Sequence, residues 1–371
     1  MIVGIDVSAI PADPRGAGRY VIELVRTLDR RGNVELRLEA RRDDEARWNE
    51  VAPGAEVAAV VPASTVRRLA WEQVAAPRFV DGWGIDVLHA PHYTMPEIAR
   101  VPKVVTIHDL TFFDHPHLHE KVKVSFFTRA IKVAAQRADA IVCVSGPTAR
   151  RLGELLNPTV PVHVVPHGID HDAFRPEPAP DDGEHLGRLA VRRPYLAFVG
   201  TIEPRKDVAT LVAAFDRLAA DPRHRDLGLV LAGGAGWKSD RLEETLASSP
   251  NAARIVRTGY VDDAAVPALL RGAAAVAYPA IDEGFGLPVL EALACGAPTV
   301  TTKGSVMDEL AEGAAYTAPP SDPAALADAI EAALADRDDT RRANGLAVAA
   351  RYTWDATAAA HEAVYRGAAR Q

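Results

Sequence analysis

Two carboxylates, Glu283 and Glu291, are separated by seven residues in the stretch IDEGFGLPVLEALACG, residues 281–296. Between them lie Gly284, Phe285, Gly286, Leu287 and Pro288. Glycines at 284 and 286 allow the backbone to come close to a ligand. Pro288 suits the first turn of a helix, where its missing N–H is no loss. A helix start presents N–H groups, here those of Gly286 and Leu287, that favour an anion such as phosphate. A carboxylate has two acceptor oxygens and matches a vicinal diol, which donates two hydrogens. The stretch therefore fits a ligand with a phosphate face and a polyol face, such as a nucleotide-diphosphate sugar. A plain turn, with Glu283 as a favourable charge at the helix start and Glu291 as a solvated helix residue, accounts for the spacing equally well.

Other residues invite chemistry of the same kind. VGTIEPRKD places Arg205 and Lys206 just after a strand, and basic groups at a helix N-terminus oppose the macrodipole, so an anion is needed to explain them. VVTIHDL puts His108 and Asp109 at another strand end. A lone histidine is more often structural than catalytic, and Asp109 would either orient the ring or cap the next turn. DPRGAGRY carries Gly16 and Gly18 ahead of Arg19, but Val21 stands where a dinucleotide fingerprint has its third glycine, which argues against a dehydrogenase. LVLAGGAGW offers Gly233 and Gly234, and TGYVDD offers Tyr260 and Val261, each after a strand.

Three signals are set aside. Asp170, His171 and Asp172 imitate a metal-binding Asp-x-Asp but open a linker. His115, His117 and His119 lie in a Pro-interrupted loop without a clear fourth ligand, so no metal site is expected. Ser145 before Pro147 reads as a helix N-cap, because no Gly-x-Ser-x-Gly elbow surrounds it.

The chain has 371 residues, 48% of them hydrophobic, which is too long for one ordinary core and suggests two domains. A formal net charge of -8 gives no global basic field for a nucleic-acid partner. Two cysteines, Cys143 and Cys295, sit in apolar runs and suggest neither a disulfide framework nor a thiolate metal site. A reducing, cytoplasmic setting fits. Met1 leads at once into IVGIDVSAI, a first strand rather than a signal peptide, and no apolar run reaches the length of a membrane span.

The elements that must hold these groups alternate. Short β-branched runs begin at residues 2, 85, 103, 140 and 161, and again at 194, 227, 253, 273 and 297, with helical patterns such as 18–31 and 206–220 interspersed. Such alternation is an α/β pattern that builds parallel sheets from βαβ units. Residues 171–192, rich in prolines and charges, read as a linker. The expected plan is two Rossmann-like, doubly wound parallel-sheet domains facing each other across a cleft. Residues 1–170 form the first and 193–352 the second, with the last helix, 353–371, packing back on the first. Ligands in such sheets sit beyond the carboxyl ends of the strands, which selects the loops at 11–19, 108–119, 200–206, 233–237, 259–262 and 279–287.

The run from Glu283 to Pro288, followed by Glu291, Ala292 and Gly296, resembles the signature of the retaining family 4 glycosyltransferases, which have the GT-B fold. The resemblance extends through VLHAPHYT (87–94), VVTIHDL (104–110), RADAIVCVS (137–145), VHVVPHGID (162–170), FVGTIEPRKD (198–207), TGYVDD (258–263) and the last helix, TWDATAAAHEAVYR (353–366). By motif the chain looks most like bacterial mannosyl- and rhamnosyltransferases.

The resemblance implies a hexosyltransferase with no obligate metal or other cofactor. Its co-substrate is a nucleotide-diphosphate sugar, GDP-mannose first, with dTDP-rhamnose or a UDP-sugar behind it. It assigns Glu291 to the nucleotide ribose and Glu283 to hydroxyls of the transferred sugar. Gly284, Phe285, Gly286 and Leu287 would contact the donor through their backbone. Arg205 and Lys206 would neutralise the leaving diphosphate; many members carry Arg where this chain has Thr201, and Arg205 stands in for it. His108 would lie near the reacting sugar. Gly233, Gly234, Tyr260 and Val261 would lodge the nucleotide, while Gly16, Gly18, Arg19 and Asp109 would serve a phosphate or the acceptor. The acceptor is a saccharide, a lipid-linked or a small-molecule hydroxyl. The basic, aromatic stretch 120–137 would suit contact with the inner face of a membrane, although ordinary packing on the first sheet explains it too. The rivals are a nucleotide-sugar epimerase or a phosphorylase of the same fold, and a noncatalytic nucleotide-sugar-binding subunit.

Overall fold

The structure is a computed structural model and describes residues 1–11, 14, 16–234, 236 and 240–370. The chain divides into two compact units, Met1–Gly168 with Thr353–Gln371, and Ile169–Tyr352.

The first unit is built on seven strands: β1 Ile2–Asp6, β2 Glu35–Arg41, β3 Glu56–Val61, β4 Val87–Ala90, β5 Lys103–Ile107, β6 Ala140–Cys143 and β7 Val162–Val164. They lie in the order β3-β2-β1-β4-β5-β6-β7 with every pair parallel. The central strands β4, β5 and β6 are buried along their whole length, as a sheet covered on both faces requires. Tyr20, Val21, Leu24 and Leu28 recur at helical spacing on Ala17–Arg31 and join a core with Val3, Ile5, Leu36 and Leu38. That helix stops at Gly32, whose φ of 62° is the left-handed conformation glycine adopts most easily. The terminal helix, Trp354–Ala368, adds Trp354, Ala358 and Tyr365 to the same core. Its start is capped by the Thr353 hydroxyl, which accepts from the N–H of Ala356 at 3.1 Å. Gly168 makes this docking possible, since a Cβ there would lie 2.2 Å from the backbone nitrogen of Trp354.

The second unit has six strands: β8 Tyr195–Val199, β9 Gly228–Ala232, β10 Ile255–Gly259, β11 Ala275–Tyr278, β12 Thr299–Thr302 and β13 Tyr316–Ala318. Their order is β10-β9-β8-β11-β12-β13, again all parallel. The chain winds outward in one direction from β8 to β10, then returns to start again at β11. The direction of winding therefore reverses between β8 and β11, and the loops leaving those two strands flank a crevice in which such sheets bind ligands.

The Pro-rich stretch read as a linker is folded within the second unit. It carries the helix Asp182–Arg188, and Arg271 grips Asp182 through Nε at 3.0 Å and Nη2 at 2.6 Å while also donating to the carbonyl of Ala173 at 3.0 Å. Composition alone does not reveal this, because the fastening arginine lies far along the chain. Among the described residues no helix is long and apolar enough to cross a membrane.

Candidate active site

The loop after β8 runs through Gly200 and Thr201 to a single 3-10 turn, Pro204–Lys206, and then Asp207 leads into the helix Val208–Ala219. The loop after β11 ends at Gly286, from which the helix Leu287–Ala294 begins. A backbone hydrogen bond from Ile281 to the carbonyl of Arg205, 2.8 Å, ties the two loops together. Side chains complete the junction. Arg205 donates through Nη1 to Glu283 Oε2 at 2.7 Å and to the carbonyl of Asp282 at 2.9 Å, and through Nη2 to Glu203 Oε1 at 2.9 Å. Lys206 bonds the other carboxylate oxygen, Oε1, and also donates to the hydroxyl of Tyr278 at 2.6 Å. Tyr278 donates in turn to Glu283 Oε1 at 2.9 Å.

These groups are mostly out of water, with side-chain exposures of 15% for Arg205, 10% for Lys206 and 13% for Glu283. Charges held in such surroundings act more strongly on one another than at a solvated surface. Burial also pushes the Tyr278 phenol well above its usual range, although Arg205 opposes this. The phenol therefore stays protonated.

Glu291 lies on the following helix and is 4% exposed, so it is not the solvated helix residue that spacing alone would allow. Gly284, Phe285 and Gly286 are buried, and Leu287 is half-buried. Phe285 packs edge-on against Tyr352 at 5.9 Å. Gly286 needs to be glycine twice over: its φ is 97°, and a Cβ would lie 2.6 Å from Met307 Cγ.

The neighbouring loops are stitched to the same framework. Gly200 donates to Ala232 at 2.9 Å, Ile202 to Gly234 at 3.0 Å, and Gly233 to Gly259 at 2.8 Å. A Cβ on Gly233 would lie 2.0 Å from the carbonyl oxygen of Gly200, so the backbones of the first two loops are in contact there. Thr201, Gly233 and Gly234 are half-buried, Val261 is buried, and Tyr260 is 54% exposed. In the LVLAGGAGW stretch, Ala235 and Trp237 lie outside the described residues.

In the first unit, His108 follows β5, buried, with Nε2 donating to the carbonyl of Pro91 at 2.7 Å. Burial lowers its pKa, against the pull of that hydrogen bond and of Asp109, so the ring is neutral. Tyr20, Tyr93, His92 and His167 surround it with ring centroids 5.2, 5.5, 5.9 and 6.1 Å away. The carbonyl of Pro91 orients the imidazole. The Asp109 carboxylate accepts from the N–H and hydroxyl of Thr111 at 3.1 and 2.8 Å, capping the next turn. Gly16 precedes the first helix at φ 46°, Gly18 is buried and Arg19 half-buried; Asp13 and Arg15 of the same loop lie outside the described residues. Ser145 is an N-cap, accepting from the N–H of Thr148 at 3.2 Å. Among the described residues no group of three His, Cys, Asp or Glu could hold a metal.

Sequence reasoning overlooked Tyr278 and Glu203. A polar ring at the carboxyl end of an otherwise aliphatic strand, AAAVAYPA, was the available signal for Tyr278.

The match to known proteins covers both units. Residues 14–173 match the model for Glycosyltransferase Family 4, and residues 187–347 that for Glycosyl transferases group 1. A D-inositol 3-phosphate glycosyltransferase of Xylanimonas cellulosilytica is 30% identical over 97% of this chain and 93% of its own. The chain belongs to glycosyltransferase family 4. An O-antigen chain mannosyltransferase B of Escherichia coli is 28% identical over 92% of this chain and 93% of that protein. Among solved structures, the sucrose-phosphate synthase of Thermosynechococcus elongatus aligns over 98% of both chains with a TM-score of 0.81 at 20% identity, which speaks to the fold alone. This family 4 glycosyltransferase thus has the GT-B fold, with two Rossmann-like parallel-sheet units.

Proposed function

We propose that this glycosyltransferase is a retaining hexosyltransferase that uses a nucleotide-diphosphate sugar, GDP-mannose first, and transfers to a saccharide, lipid-linked or small-molecule hydroxyl. The observation that carries the reading is the grouping of Arg205, Lys206 and Glu283 where the loops after β8 and β11 meet. Two cations beside a helix start suit a diphosphate on which negative charge grows as the glycosidic bond breaks. Glu283 accepts from hydroxyls of the transferred sugar and Glu291 from the ribose diol. Gly284, Phe285, Gly286 and Leu287 contact the donor through their backbone. Thr201, Gly233, Gly234, Tyr260 and Val261 lodge the nucleotide. The acceptor oxygen attacks the anomeric carbon on the face the diphosphate leaves, and the departing phosphate oxygen takes the acceptor's proton. His108, neutral and fixed by Pro91, lines the acceptor side, with Gly16, Gly18, Arg19 and Asp109 serving the acceptor or a phosphate.

The choice of mannose leans on likeness to the mannosyltransferase. The protein works in the cytoplasm, at the inner membrane face when its acceptor is lipid-linked. The helix Lys121–Arg137 favours that placement because Val122, 80% exposed, and Phe126 stand beside Lys121 and Lys123.

Thermal unfolding of the purified protein against GDP, UDP and dTDP sugars tests the donor. A ligand at a hundred times its dissociation constant adds about 2.7 kcal/mol. GDP-mannose should raise the midpoint most and should be consumed only when a hydroxyl acceptor is added, giving an α-linked product. Conversion of donor without acceptor, or an inverted linkage, would overturn the reading.

A further inference from the structure

Tyr278 is held more firmly than the groups it touches. As the last residue of β11 it pairs in register with Thr301 of β12, and the Thr301 hydroxyl donates to its carbonyl at 3.1 Å. Its ring stacks on Phe198 of β8, 5.5 Å away and 9° from parallel, and is 1% exposed. Little freedom is left except rotation of the O–H. Lys206 and Glu283, by contrast, belong to connecting loops and carry several rotatable bonds each, so their placement costs side-chain entropy.

The hydrogen bonds at the phenol have one consistent direction. An ammonium has no lone pair and a carboxylate no hydrogen. Lys206 Nζ therefore donates to Oη across 2.6 Å, and Oη donates to Glu283 Oε1 across 2.9 Å. Lys206 and Glu283 also bond directly, which closes a triangle. The ammonium further lies 5.1 Å from the centroid of the Tyr278 ring. A phenylalanine would keep the ring, the stacking and the strand, and would lose only the vertex of the triangle.

We infer that Tyr278 is a positioning residue for glycosyl transfer: its hydroxyl, anchored in the sheet, fixes the Lys206 ammonium and the Glu283 carboxylate relative to one another. The inference rests on the parts given to Lys206 and Glu283 in the proposed function. It adds that their alignment is imposed by a third residue that does not itself meet the substrate.

The test compares wild type, Y278F, E283Q, K206Q and the Y278F/E283Q double variant in steady-state transfer, with unfolding midpoints measured alongside. Y278F should lower kcat about tenfold and leave the donor KM close to wild type, with the unfolding midpoint lowered only as far as the lost hydrogen bonds require. In the E283Q background the same change should cost less than about twofold, because the hydroxyl has lost the carboxylate it aligned. Wild-type kcat in Y278F would overturn the inference. So would an equal loss in both backgrounds, since that pattern describes a merely structural tyrosine. Undiminished transfer by both E283Q and K206Q gives a different pattern, which removes the proposed site and with it the part assigned to Tyr278.

Discussion

His361 accepts the hydroxyl of Tyr20 at 2.7 Å, joining the terminal helix to the first helix across 341 positions of sequence. The direction of this bond follows from the other end of the ring, where Nδ1 donates to the carbonyl of Thr357 at 2.8 Å. With its hydrogen committed, Tyr20 accepts from the Thr106 hydroxyl at 3.1 Å. Thr106 then accepts from His89 Nε2 at 2.8 Å, and His89 Nδ1 accepts from Tyr365 at 2.8 Å. One run of aligned hydrogen bonds fastens His361 and Tyr365 to β4, β5 and the first helix. It works only while both histidines are neutral, since a protonated ring would donate from both nitrogens.

Acid should loosen this attachment. Burial pushes His361 down to about 4 and His89 well below its usual value, with His361 and His108 adding to the effect on His89. An unfolded histidine takes up a proton below about pH 6.5. The folded chain binds fewer protons than the unfolded one in this window, so stability rises with pH there and is lost as pH falls from 6.5 toward 4. His361 alone accounts for about 2 kcal/mol by pH 5. Denaturant midpoints measured across that range should slope less steeply in H361Q than in wild type; parallel slopes would exclude the histidine as their source.

Alkali should act in the opposite sense through Glu39 and Glu72. Burial, followed by the nearby Asp6 carboxylate, pushes Glu39 up to about 8 and Glu72 up to about 7. Each has a partner, the indole of Trp71 at 2.7 Å for Glu39 and the hydroxyl of Thr94 at 2.7 Å for Glu72. A carboxyl whose folded pKa is raised contributes stability that is complete below its unfolded value and is lost as pH rises through the folded one. Glutamine at position 39 keeps an acceptor for the indole and cannot ionise. Denaturant unfolding should find E39Q more stable than wild type at pH 9, by at least about 1 kcal/mol, and nearly equal to it near pH 4.5.

Gly233 and Gly286 differ in what opposes a side chain. At Gly233 the obstacle is backbone, the Gly200 carbonyl; at Gly286 it is Met307 Cγ, which belongs to a side chain. Both have positive φ, so alanine is strained at either. G233A should therefore destabilise more than G286A, the latter by about 1–3 kcal/mol. Unfolding midpoints of the two variants settle the order.

Much of this organisation could be read before folding, and the omissions have physical reasons. Strands β6, β8, β9 and β11 are continuous apolar runs because both their faces are covered, and β4, β5 and β12 are equally buried although they carry His89, Lys103 and threonines. Strand β2, ELRLEAR, alternates charged and apolar residues, and β3 is a half-buried edge strand, so neither stands out from its surroundings. Strand β13 has only three residues, Tyr316–Ala318. At the site, the glycines and the charged residues of 205, 206 and 283 advertise themselves by type. That Arg205 and Lys206 converge on one carboxylate does not, because it depends on β8 and β11 becoming neighbours. The relay through Tyr20, Thr106 and His89 is hidden for the same reason: each member looks like an ordinary core residue until the sheet assembles.

The two carboxylates of the opening motif should be separable by kinetics. Glu291, to which we assign the ribose diol, would make a contact that is the same before and during bond breaking. Loss of such uniform binding raises KM and leaves kcat. E291Q should accordingly raise the donor KM about tenfold with kcat nearly unchanged. Glu283 is clamped by Arg205, Lys206 and Tyr278, and it holds the cations that we propose meet the growing charge on the diphosphate. Its neutral isostere frees both cations from their shared partner and misplaces them at the moment they matter. E283Q should lower kcat by about a hundredfold or more, with a smaller effect on KM. The reverse assignment, a kcat effect at 291 and a KM effect at 283, would mean that the nucleotide and the transferred sugar lie the other way round along the helix Leu287–Ala294.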